Sequence, residues 1–171
     1  MRESPIVAKT LLILRHAKSS WNHPQLSDHA RPLNTRGQKA APRMGQLIYV
    51  EDLVPDVILS STARRALETA EIVAEASGFA GEIIQLDDLY HGWPSDYLNV
   101  LRPLPDDIHI ALVVGHNPGV EALLEILTDE TEPMPTAALA HLKLPINSWN
   151  QLTDETEGEL LNLWRPRGLP G

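Results

Sequence analysis

The alternation of short apolar runs with helically spaced segments constrains this chain more than any other feature. Runs such as "LLIL" and "IALVV" are too short to be helices of their own and too apolar to be loops. Interleaved with helical patterns, they argue an α/β fold with a mostly parallel sheet. The expected strands are Thr10–Leu14, Val57–Leu59, Glu82–Leu86, Ile108–Val114, Ala138–Leu144 and Glu159–Trp164. One helix is expected over Thr35–Tyr49, with Ala40, Met44, Leu47 and Ile48 inward. A second runs over Ala63–Ser77, with Ala66, Ala70, Val73 and Ala74 inward and Gly78 ending it. A short third starts near Ser95 and stops before Pro103. The fourth takes Asn117 as N-cap and Pro118 as its first residue, with Val120, Leu123, Leu124 and Leu127 inward. The last two strands should pair antiparallel at one edge, and "RPRGLPG" should fray.

A length of 171 residues favours one domain over 1–171, with short flexible tails. Its 43% hydrophobic and 22% charged residues are ordinary for a globular protein. No apolar run is long enough to span a bilayer, and "MRESPIVAKT" lacks a signal-peptide hydrophobic region, so a cytoplasmic location is expected. The absence of cysteine excludes disulfides, thiolate metal sites and a cysteine nucleophile. With 14 basic residues against 23 acidic, the formal charge is -9, which argues against nucleic-acid or anionic-membrane partners. A phosphate-bearing substrate would need a local basic cluster. Such a cluster can work against the global field, because exposed charges beyond about 8 Å are largely screened at physiological salt.

Ligands of open α/β sheets bind beyond the carboxyl ends of strands. Here three expected strand ends carry unusual polar residues: Arg15-His16 followed by "KSSWN", then "SSTARRALETA", then "GHNPG". Arg64 and Arg65 fall in an opening helical turn, where the dipole disfavours cations by about 0.3–1 kcal/mol each unless an anion is present. Alone, they read better as two solvated arginines on a surface helix. His116, between a strand and a helix N-terminus, could join free amides in an anion pocket or be a hydrogen-bonded structural histidine. Arg15-His16 alone could be a strand-ending ion pair and a surface histidine. Taken together, the three ends describe a pocket for a doubly charged oxyanion, with phosphate the natural candidate.

The seven histidines include no HxH or HExxH spacing, and neighbouring arginines would repel a cation, so neither a metal nor any other cofactor is expected. The chain also lacks GxxxxGK[ST], GxGxxG and GxSxG.

"RHAKSSWN" resembles the RHG signature of the histidine phosphatase superfamily, "SSTARRALETA" its SSPxxRAxQTA segment, and "VVGHNPGV" its second-histidine motif. "LSDHARPLNTRG" and "APRMG" resemble the small SixA-like phosphohistidine phosphatases. The resemblance implies a phosphoglycerate mutase-like α/β/α three-layer sandwich. It also implies His16 as nucleophile, Arg15 and Arg65 as phosphate clamps and His116 as the second phosphate-binding histidine. Ser19 and Asn22 match pocket-lining positions, and Asp88, one residue from Asp87, lies near the family's proton donor. Ala17 stands for the glycine of RHG and Thr62 for a usual proline; neither change removes a functional group.

The expected reaction is phosphoryl transfer to a neutral His16, then hydrolysis, with His116 acting best as imidazolium. An uncertain acid and short segments between motifs lean towards phosphohistidine on a protein, such as a phosphorelay domain. A general phosphatase of small phosphomonoesters, an inactive phosphoprotein-binding module and a mutase are the alternatives.

Overall fold

The first apolar run is continuous because both of its faces are buried. In the computed structural model, which describes residues 8–169, Leu11, Leu12, Ile13 and Leu14 are all inaccessible to solvent. Each side chain so buried contributes about 1.5–3 kcal/mol relative to exposure. The run is the core of β1 (Lys9–Arg15), joined in the sheet by β2 (Val57–Ser61), β3 (Ile83–Leu86), β4 (Ile110–Gly115), β5 (Leu139–Leu144) and β6 (Glu159–Trp164). The six strands lie in the order β3-β2-β4-β1-β5-β6. The first four are mutually parallel, and β5 runs antiparallel to β1. The expected antiparallel edge pair is β5 with β6.

Alternation along the strands divides the core in two. Leu11 and Ile13 of β1, with Val57, Leu59, Ala111 and Val113, pack against α3 (Pro94–Leu101) and α4 (Gly119–Thr128). Leu12 and Leu14, with Ile58, Leu112 and Val114, pack against α1 (Thr35–Val50) and α2 (Arg64–Ser77). The result is the expected α/β/α sandwich. Asn34 caps α1 by accepting from the Gly37 N–H at 2.9 Å. Gly78, at φ +81°, closes α2 in the left-handed conformation that glycine adopts without strain.

The topology also positions the site. Since β2, β4 and β1 are adjacent and parallel, their carboxyl ends emerge side by side, with Arg15 paired to Gly115. Ser61, Gly115-His116 and Arg15-His16 therefore share one edge of the sheet.

Two local expectations need correction. Asn117 is not the cap of α4. Pro118 occupies that position after a cis Asn117–Pro118 peptide, and the Asn117 amide instead donates to the Met134 carbonyl at 3.0 Å. The C-terminal segment does not fray as far as residue 169. Arg165 pairs with Glu132 at 3.0 Å, Pro166–Gly168 forms a 3-10 turn, and the Leu169 carbonyl accepts from Arg43 at 3.2 Å. The remainder of that tail, residues 170–171, and the expected flexible N-terminal tail and leaderless start, residues 1–7, lie outside the described residues. Among the described residues, no helix is long and apolar enough to cross a membrane.

Candidate active site

His16 sits one residue beyond β1 and is only 6% exposed. Its backbone N–H donates to the Gly115 carbonyl at 3.0 Å, and the following N–H, of Ala17, donates to the Thr69 hydroxyl at 3.0 Å. The turn is thus fixed to both β4 and α2. Within the ring, Nδ1 lies 2.7 Å from the Ala17 carbonyl. A carbonyl only accepts, so Nδ1 carries the proton and Nε2 keeps its lone pair. Burial, with Arg65, Arg15 and Arg31 nearby, pulls the His16 pKa down to about 4 despite the Ala17 hydrogen bond. The ring is neutral at physiological pH.

His116, 5% exposed, places its ring centroid 5.0 Å from that of His16. Its Nε2 lies 2.8 Å from the Ser61 hydroxyl. Burial, followed by the nearby His16 and Arg65, lowers its pKa to about 3. With no anion beside it the ring is neutral, because desolvation and cationic neighbours outweigh the one carboxylate, Asp28, that favours charge; the imidazolium expected from the sequence concerns the phosphate-bound site.

Arg15, His16, Ser19, Arg65 and His116 line one cavity of about 330 Å³, joined by Lys18, Trp21, Arg31, His91, Asn117 and Thr136. Four of these are permanent cations and none is a carboxylate. The Nε atoms of Arg15 and Arg65 are buried without a hydrogen-bond partner. Orphaned charged donors on two arginines of one cavity are costly unless an anion satisfies them.

Arg65 is held by a residue that the sequence did not single out. Its Nη1 donates to the Asp28 carbonyl at 2.7 Å and its Nη2 to the Asp28 carboxylate at 3.0 Å. The same carboxylate accepts from Arg31 Nε at 3.1 Å and from the Tyr90 hydroxyl at 2.7 Å. Burial would raise the Asp28 pKa, but the Tyr90 hydrogen bond and the two guanidiniums hold it well below the usual carboxylate range. Arg31 is itself 8% exposed, donates to the Ser19 hydroxyl at 2.8 Å and stacks on Trp21, 3.6 Å from the ring centroid. Arg64 is exposed beside Glu68 at 3.7 Å and takes no part.

Two expected site residues stand apart from the cavity. Asn22 is exposed, and its backbone N–H donates to the Ser20 hydroxyl at 3.1 Å. Asp88 is exposed on the 3-10 turn Asp87–Leu89, and neither it nor Asp87 lines the cavity. That turn follows β3 directly and directs Asp87 to the Thr62 hydroxyl. Among the described residues, no group of three or more histidines or carboxylates could hold a metal ion.

A family model for the histidine phosphatase superfamily (branch 1) matches residues 11–90, the stretch carrying Arg15, His16, Asp28, Arg31 and Arg65. An uncharacterised protein of Mycobacterium tuberculosis is 30% identical over 142 residues, covering 77% of this chain and 87% of that one. An uncharacterised chloroplast protein of Arabidopsis thaliana is 29% identical over 157 residues, or 86% of this chain and 72% of its own length. Among solved structures, the candidate phosphohistidine phosphatase SixA from Nakamurella multipartitia superposes with a TM-score of 0.83 at 28% identity, covering 95% of this chain and 99% of that one. The protein histidine phosphatase SixA complexed with tungstate gives a TM-score of 0.81 at 25% identity, with 94% and 99% covered.

Proposed function

Because the chain belongs to the histidine phosphatase superfamily and is a phosphatase of its SixA-like, phosphoglycerate mutase-like kind, we propose that it hydrolyses phosphohistidine carried on a protein, with no metal ion. The observation that carries this reading is a cavity ringed by cations, with a neutral imidazole whose Nε2 is unprotonated and with no carboxylic acid on its wall.

His16 Nε2 attacks phosphorus as the P–N bond to the substrate histidine breaks. The bonding pair stays on that nitrogen, and the ring, already protonated at its other nitrogen, leaves as neutral imidazole. Water then attacks the phosphoryl group on His16, the P–Nε2 bond breaks, inorganic phosphate departs and neutral His16 returns. Arg15 and Arg65 neutralise the equatorial oxygens through charge-assisted hydrogen bonds, and such positioning and electrostatics supply most of the catalysis in phosphoryl transfer. His116 completes the cradle opposite His16. Ser19 lines the cavity, and its hydroxyl accepts from Arg31, which leaves its O–H free to donate to a phosphate oxygen.

An alkoxide leaving group needs a general acid. Asp28 is the nearest carboxyl to the clamp, and it is held ionised by Tyr90, Arg65 and Arg31. A leaving imidazole needs no such donor, which favours phosphoramidate over phosphoester substrates. Exposed Trp21, at 73%, stands at the cavity, and Trp93, at 62%, lies in the neighbouring hollow with His91 and His116. Exposed tryptophans around a site suit docking of a macromolecule.

The test compares wild type and His16→Ala on a phosphohistidine protein and on p-nitrophenyl phosphate. Rapid hydrolysis of the first, slow hydrolysis of the second and acid-labile phosphate trapped on wild type alone are expected. Fast ester turnover with no phosphohistidine turnover would overturn the substrate; no label on folded wild type would overturn the covalent route.

A further inference from the structure

A second cavity, of about 320 Å³, adjoins the catalytic one through the shared walls Lys18 and Thr136. Its other walls include Arg36 of α1 and Arg165 and Arg167 of the C-terminal segment. In a chain with a formal charge of -9, four cations surround this hollow and no acidic residue lines it. Arg165 is committed to Glu132 at 3.0 Å. Lys18, Arg36 and Arg167 are exposed and form no ion pair among the described residues. Arg36 also lies in the first turn of α1, where the helix dipole opposes a cation.

These cations differ in kind from those of the catalytic cavity. Arg31 and Arg65 are buried and locked by hydrogen bonds into a fixed fork, as recognition of one phosphate requires. Arg36, Lys18 and Arg167 come from three separate segments on long, free stems. That arrangement suits several dispersed negative charges, steering a partner and fixing its orientation.

We propose that this basic hollow is a docking subsite for aspartate and glutamate side chains flanking the phosphohistidine on the substrate protein. The inference rests on the phosphohistidine reading and adds a sequence preference to it. A phosphohistidine held at His16 would present its neighbouring residues across the wall formed by Lys18 and Thr136.

The experiment uses two phosphohistidine peptides of one sequence, flanked either by glutamates or by glutamines. It is run with wild type and with the Arg36→Glu/Arg167→Glu double variant. Wild type is expected to favour the glutamate peptide about tenfold in kcat/KM, through KM, with the preference shrinking as salt rises. The double variant should lose that preference and hydrolyse p-nitrophenyl phosphate at the wild-type rate. Equal turnover of the two peptides by wild type, or a preference that survives charge reversal, would overturn the subsite and leave the phosphohistidine reading standing. Hydrolysis of p-nitrophenyl phosphate with neither peptide touched would overturn that reading, and the subsite with it.

Discussion

Two buried, neutral imidazoles make the fold sensitive to mild acid in a calculable way. The folded pKa values of His16 and His116 are about 4 and about 3, against 6.5 for an exposed histidine. Below pH 6.5 the unfolded chain therefore binds two protons that the native protein refuses, so stability falls as pH falls. The contribution is complete above the unfolded pKa and is lost progressively as pH drops through 6.5 towards the folded values. Each histidine contributes a slope of about 1.4 kcal/mol per pH unit in that window, so acidifying from about pH 7 to about pH 4.5 removes about 5 kcal/mol. That is comparable with the whole stability of many domains, about 5–15 kcal/mol. Asp28, whose folded pKa lies below its unfolded one, adds its own loss only below about pH 4, outside this window. Urea unfolding followed by circular dichroism at several pH values measures the loss, and the His16→Asn/His116→Asn double variant isolates it. A flat profile between about pH 7 and about pH 5, or an undiminished slope in the double variant, refutes the burial argument.

Filling the cavity with inorganic phosphate should raise the His116 pKa, because a dianion favours its charged form. Calorimetry in buffers of differing ionisation enthalpy should then report proton uptake on binding near neutral pH; none would mean that His116 stays uncharged. Asp28→Ala should free Arg65 and lower kcat/KM about tenfold, with Asp28→Asn recovering part of the loss. Equal activity of Asp28→Ala and wild type would remove Asp28 as the residue positioning Arg65. Leu12→Ala, at a fully buried site between the sheet and α1, should cost about 2–5 kcal/mol in chemical denaturation while leaving KM unchanged.

What could be read from the sequence follows from where each residue sits in the chain. Arg15, His16 and His116 end buried strands and Arg65 opens an amphipathic helix, so strand and helix periodicity place them before any tertiary contact is known. Sequence-local signals fail where three-dimensional packing decides. Asp28 and Arg31 lie in the segment between β1 and α1, and only the closure of that segment over α2 brings the carboxylate to Arg65. Their spacing of three residues was the available hint, since it suits an ion pair across one turn. Asp88 and Asn22 failed for the converse reason. Each is close in sequence to site residues, Tyr90 and His91 in one case and Ser19 in the other, yet a tight turn directs it to solvent. Of that stretch it is Tyr90 and His91 that reach the site, their rings standing 5.6 Å and 6.5 Å from that of His116.

The charge state of His116 exposes the limit of reasoning by residue type. An imidazolium is the better phosphate ligand, and that chemistry alone led to expecting one. The folded cavity already concentrates Arg15, Lys18, Arg31 and Arg65 around the nucleophile, and a further cation 5.0 Å from His16 would oppose them all. Leaving His116 neutral until an anion arrives resolves the conflict. A neutral ring avoids the repulsion, and a bound dianion should draw in the extra positive charge where there is negative charge to meet it. Such a site should favour a dianion over monoanions and neutral ligands without any added group, because the larger negative charge raises the His116 pKa more. The same low dielectric that destabilises the fold in acid should sharpen that preference, so the expected acid sensitivity and the expected preference for a phosphoryl dianion share one physical origin.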